Sequence, residues 1–456
     1  MKILIICHFF PPTHNAGAEK RSLAYALGLK RLGYEVQVVC AGSWDKGPKY
    51  WNGYTDDVYL DIPVRRVHLH WTKAADINRS LYDNSLLEGF LDEWIADWQP
   101  DLVHIISMVT LSISVVRSAK KHALPVVFTL TDFWMICPKI SLVRGDGTLC
   151  NGQTTAWECL RCMLWHTKAY RGLHNVLPEP AAAALLTWAS RKPKLNRIHG
   201  LRGMALDMDD RKRRMQETMD QIDRVTAPSR ALAKVMEESG LLKEPVRVIK
   251  SGHDLSWAEN LPPKTPSDVL RFGYIGQVIP VKGLHVLIPA FQKAAAYAHS
   301  LGRTIELQIY GNAGHEPDYT ARIKSMIRPE DNIKFMGAFA HNQLGGVFAQ
   351  MDALVVPSQW HENNPRVIQE AFAAQTPVIA SNVGGITEFT RHGVDGLLFQ
   401  YNEVDDLQEQ LCSMISDPTL IARLREGILP VKTIQEEIEE VVAVYHELTT
   451  PENVPV

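Results

Sequence analysis

ALVVPSQWHENNPRVIQEAFAAQTPVIASNVGG, residues 353–385, passes from a β-rich apolar run through a polar turn into a helical pattern and back to a second apolar run. Two such runs joined by a helix pair in parallel, because the return of the chain is made by the helix and not by a hairpin. The pattern predicts a helix over RVIQEAFAA that starts at about Asn364, with Pro365 in its first turn, where the missing N–H costs nothing. Glu362 lies in the turn before this helix and Glu370 nearly two turns into it. Unpaired N–H groups and the positive dipole end make such a helix entrance a site for an anion such as a diphosphate. Glu362 is then placed to accept hydrogen bonds from hydroxyls of a group attached to that anion, and Glu370 to reach another part of the same ligand. The plain alternative is that Glu362 caps the helix and Glu370 is solvated.

Outward from this segment the same alternation recurs. RFGYIGQVIPVKGLHVLIPAFQKAA, IELQIYGNAG and NIKFMGAF complete a Rossmann-like series over residues 267–430. An earlier series, KILIICHF, EKRSLAYALGLKRLG, EVQVVCAG, PDLVHIIS and PVVFTLTDF, predicts another over residues 1–252. The stretch of about 164–223 is helical throughout and reads as an insertion in the first domain. Proline-rich ENLPPKTPSD, from Glu259, has linker composition and marks the boundary. The closing segment, 431–450, places Ile434, Ile438, Val441, Val442, Tyr445 and Leu448 on one helical face, which is expected to pack back on the N-terminal domain. The fold class is therefore α/β, two Rossmann-like domains with a ligand cleft between them at the carboxyl ends of the strands.

Composition agrees with a globular chain large enough for two cores: 456 residues, 46% hydrophobic and 22% charged. A net charge of −3 gives no reason to expect nucleic acid as a partner. The opening MKILIICHFFPP has no cleavage site and meets two prolines early, so it reads as a buried strand and not a signal peptide. With no apolar run of about 18 residues, a cytoplasmic location is expected.

The segment from Pro357 to Phe399 resembles the signature of retaining glycosyltransferases of family 4, with an E-x7-E motif and two Rossmann-like domains in the GT-B arrangement. The resemblance implies a hexosyltransferase that moves a sugar from a nucleotide diphosphate sugar to a saccharide or lipid-linked acceptor, in polysaccharide or glycolipid assembly. It implies that Glu362 holds sugar hydroxyls, Glu370 the ribose, and the backbone of Asn363, Asn364, Pro365, Arg366 and Val367 the sugar and diphosphate. Lys282 matches the lysine of a basic pair that grips the diphosphate, whereas the partner arginine is replaced by Gln277. Arg366 is expected to supply part of the missing charge. Without the resemblance Lys282 reads as an ordinary turn lysine.

Two further segments carry the resemblance with departures. The loop around Gly17, which in relatives approaches donor and acceptor, has Ala16 and Ala18 where a second glycine is usual. PVVFTLTDFWMICP keeps Asp132, assigned near the donor sugar and to catalysis together with Glu362 and Lys282, but has Thr131 at a position normally histidine. A threonine hydroxyl bonds a sugar but does not shuttle protons near neutral pH as imidazole does. The plain alternative is a strand-end threonine beside an Asp132 that caps a turn.

Cys137, Cys150, Cys159 and Cys162 include one C-x2-C pair and are able to supply a structural zinc site, ahead of reduced thiols and of an iron–sulfur cluster. No cofactor is expected to be required for catalysis. From Trp188 to Arg214 nine Lys or Arg face three Asp, which suits either a solvated helical face or peripheral contact with the inner face of a membrane. The Asp207–Asp210 cluster lies in this helical insertion and carries little weight as a metal site. Two rival functions remain, a nucleotide-sugar-binding subunit that has lost catalysis and a GT-B nucleotide-sugar epimerase.

Overall fold

Alternate residues of the first strand serve opposite faces of one sheet. Leu4 and Ile6 join a core with Val103, Ile105 and Val126, whereas Ile3, Ile5 and Cys7 join another with Tyr25, Leu29 and Val38. Burial on both faces explains why these strands read as continuous apolar runs. In this computed structural model, which describes residues 1–168, 170, 172, 176–190 and 204–450, the chain forms two units. One comprises Met1–Lys250 with the segment from Ile434 onward, and the other Ser251–Thr433.

The first unit holds an eight-stranded sheet in the order β3-β4-β2-β1-β5-β6-β7-β8. Its strands are β1 (Lys2–Ile6), β2 (Glu35–Ser43), β3 (Trp51–Tyr59), β4 (Ile62–Leu69), β5 (Leu102–Ile105), β6 (Val126–Thr129), β7 (Arg224–Ala227) and β8 (Arg247–Val248). All neighbours are parallel except the edge pair β3 and β4. That hairpin has no clear signal in the sequence. Its strand β3 is largely exposed, and its turn is Leu60–Asp61, whose φ values of 50° and 59° are those of a two-residue turn usually built from Asn-Gly. Ion pairs across it, Arg65–Asp56 at 2.7 Å and Arg66–Asp57 at 2.8 Å, stand where apolar cross-strand contacts are sparse.

The second unit holds a six-stranded, all-parallel sheet in the order β11-β10-β9-β12-β13-β14. Its strands are β9 (Leu270–Ile275), β10 (Ile305–Tyr310), β11 (Ile333–Gly337), β12 (Ala353–Val356), β13 (Val378–Ser381) and β14 (Gly396–Phe399). Within the expected insertion the described residues include helices Glu179–Ser190 and Met204–Met219. Residues 191–203 of the basic stretch from Trp188 to Arg214 lie outside the described residues. No described helix is long and apolar enough to cross a membrane.

The last helix, Ile434–Thr449, buries Ile438, Val441, Val444 and Tyr445 in the core of the first unit. Polar groups under it are paired: Glu437 accepts from Arg21 and from the Tyr25 hydroxyl, each at 2.6 Å. The Tyr445 hydroxyl meets His104 Nδ1 at 2.5 Å, and His104 Nε2 meets the Thr129 hydroxyl at 2.7 Å. Burial, with the Arg21 charge adding to it, pushes His104 down to about 3, so the ring is neutral. Unfolding releases it to a value near 6.5. The unfolded chain therefore binds the extra proton, and the stability from His104 is fully present above pH ~6.5 and lost as pH falls toward its folded value. We predict that wild-type stability, followed by urea unfolding, drops by about 1.4 kcal/mol per pH unit more than that of His104→Gln between pH ~6 and ~4. Parallel curves for the two proteins would contradict this.

Candidate functional site

In the second unit the site is built at the carboxyl end of β12. The chain leaves this strand through Pro357 and Ser358, and Gly283 packs directly against it: a Cβ there would lie 1.7 Å from the Pro357 carbonyl oxygen, and its φ is +79°. Only glycine permits that approach, and it delivers Lys282 to the same place. Lys282 Nζ donates to Glu362 Oε1 at 2.6 Å, and the Ser358 hydroxyl donates to the same oxygen at 2.9 Å. Lys282 also lies over the Trp360 ring, 5.1 Å from its centroid. Glu362 is buried, which by itself pushes its carboxyl up. The Lys282 charge and the hydrogen bonds outweigh this and hold it below the ordinary range, so it is ionised near neutral pH.

The helix behind it differs from the sequence expectation. It spans Arg366–Ala373, with Pro365 as its N-cap, and does not start at Asn364. Pro365 has φ −74° and ψ 80°, and the Arg366 N–H closes on the Asn364 carbonyl at 2.8 Å, which is an inverse γ-turn. The Gly385 N–H donates to the Glu362 carbonyl at 2.6 Å, fastening the loop from its other side, and Gln369 Nε2 donates to Asn364 Oδ1 at 2.7 Å. Arg366 lies 3.6 Å from Glu370 across one helical turn, so its charge already has a partner. Val367 is the second residue of that helix. Gln277 is exposed just after β9, and its amide stands 3.5 Å from His315 Nε2. His315 has no counterpart in the sequence reading.

In the first unit Gly17 opens the helix Gly17–Arg31, and a Cβ built on it meets no atom within 4 Å, so no neighbour in the chain requires the glycine. The loop leading to it is held by buried Arg66, which donates to the carbonyls of Phe10 at 3.0 Å and Pro11 at 2.7 Å. Asp132 accepts the Trp134 N–H at 2.7 Å, and the Thr131 hydroxyl donates to the Ile106 carbonyl at 3.0 Å, as a turn at a strand end requires. Burial nevertheless pushes the Asp132 carboxyl up, against the Trp134 hydrogen bond and the attraction of His8. His8, unremarked in the sequence, lies 3.2 Å from Glu19. Burial pushes Glu19 up, but bonding to His8 and its charge hold it down overall. His8, on the loop after β1, thus adds an imidazole whose charge acts on Asp132. Its only sequence signal is a histidine just beyond an apolar strand.

Cys137, Cys150, Cys159 and Cys162 are free and half-buried, and all four line one cavity. Among the described residues no three His, Cys, Asp or Glu side chains are already drawn together as a metal would hold them.

Comparison with known proteins agrees with this organisation. Residues 259–428 match the family model of glycosyl transferases group 1, and residues 16–172 that of a glycosyl transferase 4-like domain. The chain is 30% identical over 168 residues to D-inositol 3-phosphate glycosyltransferase of Stackebrandtia nassauensis, covering 36% of this chain and 38% of that protein. It is 24% identical over 258 residues to the putative glycosyltransferase YtcC of Bacillus subtilis, covering 52% and 63%. The chain thus spans less than two thirds of the length of these curated relatives. In fold it is similar to a glycosyltransferase from Rickettsia africae, with TM-score 0.63, 16% identity and 99% of each chain covered. It is similar also to Anabaena HepE in complex with UDP-glucose, with TM-score 0.60, 19% identity, and 97% and 100% covered. With one family model matched in each half, and two Rossmann-like domains carrying them, the chain belongs to the group 1, family 4-type glycosyltransferases.

Proposed function

We propose that the chain is a retaining glycosyltransferase that moves a sugar from a nucleotide diphosphate sugar to an acceptor hydroxyl. The observation that carries this reading is the buried, ionised Glu362 held by Lys282 at the end of β12, directly before a helix N-terminus. The bond from the anomeric carbon to the diphosphate oxygen breaks, a bond to the acceptor oxygen forms on the same face, and the acceptor proton passes to the departing diphosphate. Negative charge grows on the diphosphate as this happens. Lys282 and the positive dipole end of the helix Arg366–Ala373 are preorganised to stabilise it, and Gln277 adds a donor without charge. Glu362, accepting only, orients sugar hydroxyls, and Glu370 orients the ribose. Asn363, Asn364, Pro365, Arg366 and Val367 supply backbone contacts. Asp132 and the Gly17 loop serve the sugar and the acceptor, with His8 beside Asp132.

The D-inositol 3-phosphate glycosyltransferases among the relatives and the UDP-glucose complex of HepE support a UDP-sugar donor and a polyol or saccharide acceptor. A thermal-shift panel of nucleoside diphosphates and nucleotide sugars tests this, because a ligand that binds only the folded state raises Tm with the logarithm of its saturation. We expect a UDP-sugar to raise Tm and Lys282→Ala to lower donor affinity about tenfold or more. If Arg366 supplies the charge missing at Gln277, Arg366→Ala also weakens the donor. Unchanged affinity in Arg366→Ala would assign that arginine to Glu370 alone. Tight nucleotide binding with no turnover on any acceptor would favour the binding-subunit reading.

A further inference from the structure

The loop that follows Asp132 folds around four sulfur atoms. Cys137 ends a turn in which its N–H donates to the Phe133 carbonyl at 2.8 Å. Cys150 follows a small hairpin bridged at Val143 and Leu149, and its N–H donates to the Leu142 carbonyl at 2.8 Å. Cys159 and Cys162 lie three residues apart on the helix Ala156–Leu164, whose start is fixed by a capping box between Thr155 and Glu158. Residues at that spacing share a helix face.

Donors surround the sulfurs. Gly152, with φ +81°, turns its N–H on Cys150 Sγ at 3.5 Å. The Thr154 hydroxyl is 3.0 Å from Cys159 Sγ. The Gly152 N–H, aimed at the sulfur two residues earlier, suits a thiolate better than a thiol, because a thiolate is the stronger acceptor.

A second observation is independent of the cysteines. Arg211, from the helix Met204–Met219, is only 6% exposed and lies over the Trp134 ring at 5.3 Å. It donates to the carbonyls of Met135, at 3.3 Å, and Trp134. Among the described residues it has no carboxylate partner, and the nearest ionisable groups acting on it are Cys137, Cys159 and Tyr82. A buried guanidinium without an anion is costly. Four thiolates around a divalent cation carry a net charge of −2, which is the counter-charge this arginine lacks.

We propose that Cys137, Cys150, Cys159 and Cys162 form a tetrathiolate site for zinc, with Arg211 as its buried counter-charge. The four thiols bind one divalent ion and release four protons to solvent, with no change of oxidation state. The sulfurs turn inward into their common cavity on binding. The metal staples the loop between Asp132 and the helix Ala156–Leu164, and takes no part in sugar transfer.

The test uses the full chain produced with zinc supplied, followed by metal analysis and by cobalt substitution. We expect close to one zinc per chain, and thiolate-to-cobalt charge-transfer bands when cobalt replaces it. Cys159→Ser and Cys162→Ser should each lose the metal, whereas Cys412→Ser should keep it. Arg211→Met should weaken zinc about 10- to 100-fold in chelator competition, the range seen for groups just outside a metal's ligands, and Arg211→Lys should restore part of the loss. If the cysteine variants fail to fold, the cobalt spectrum of the wild-type chain decides alone. Absence of those bands, four freely titrating thiols after zinc addition, or an intact mass showing two disulfides overturns the metal site. Unchanged affinity in Arg211→Met overturns the counter-charge.

Discussion

Glu362→Ala is expected to lower kcat/KM for sugar transfer by roughly 10²- to 10³-fold, the effect of removing one preorganised polar group from a transition state. The expectation rests on its isolation from water: the residue is 9% exposed and two donors, Lys282 and Ser358, converge on one carboxylate oxygen. The same geometry separates two roles. Glu362→Gln preserves shape and an acceptor oxygen but frees Lys282 from its ion pair, so donor affinity should survive better than turnover. Lys282→Ala leaves the Glu362 carboxyl with the Ser358 hydrogen bond but without the Lys282 charge, the strongest influence opposing burial. Its proton is then retained to higher pH, because the Lys282 charge is what overcomes desolvation in the wild-type chain. The acid limb of the activity profile should accordingly move to higher pH in Lys282→Ala and not in a surface lysine variant. Full activity in Glu362→Ala, or an unmoved acid limb in Lys282→Ala, would remove Glu362 from the site.

The largest effect on stability is expected at the other end of the chain. Glu437 is 1% exposed, and its removal takes from Arg21 an ion-pair partner at 2.6 Å and from the Tyr25 hydroxyl its acceptor. Breaking a buried pair from one side costs about 3–5 kcal/mol. Glu437→Ala should therefore lower the denaturant midpoint of the first unit and expose the helix Ile434–Thr449 to protease, whereas Glu439→Ala, on the exposed face, should change stability by less than about 0.5 kcal/mol. The paired replacement Arg21→Met with Glu437→Leu should recover much of the loss, because it removes both desolvation costs together. A Glu437→Ala protein with the wild-type midpoint would show that this helix is held by its apolar face alone.

Much of the fold was legible before any coordinates. Strands buried on both faces, such as LVHI and VVFT, announce themselves as apolar runs, and an amphipathic helical pattern, SVVRSAKK, separates them. The Trp51–Leu69 hairpin was not, because its turn is Leu60–Asp61 and its edge strand carries Asp56 and Asp57 outward. The helix after Asn364 begins later than its proline suggests, because Pro365 adopts a ψ outside the helical range. At the site, Glu362 and Lys282 were each readable as candidates through a family resemblance, but their pairing joins positions 80 residues apart. His8 beside Glu19 was signalled only by its place just beyond an apolar strand, and Arg211 under the cysteine loop only by its membership of a basic run.

The sequence by itself determined the alternation of strands and helices, the placement of Glu362 before a helix and of Glu370 within it, and the presence of four cysteines after Asp132. These follow from periodicity and from steric rules that act within a few residues. Only the tertiary structure decided which of those groups carry charge. Glu362 is ionised because Lys282 reaches it, His104 is neutral because the helix Ile434–Thr449 and the sheet bury it, and Arg211 has no carboxylate partner among the described residues, where it bonds to carbonyls and feels the thiols of Cys137 and Cys159. Ionisation depends on desolvation and on neighbours brought together from distant parts of the chain, and neither is written in local pattern.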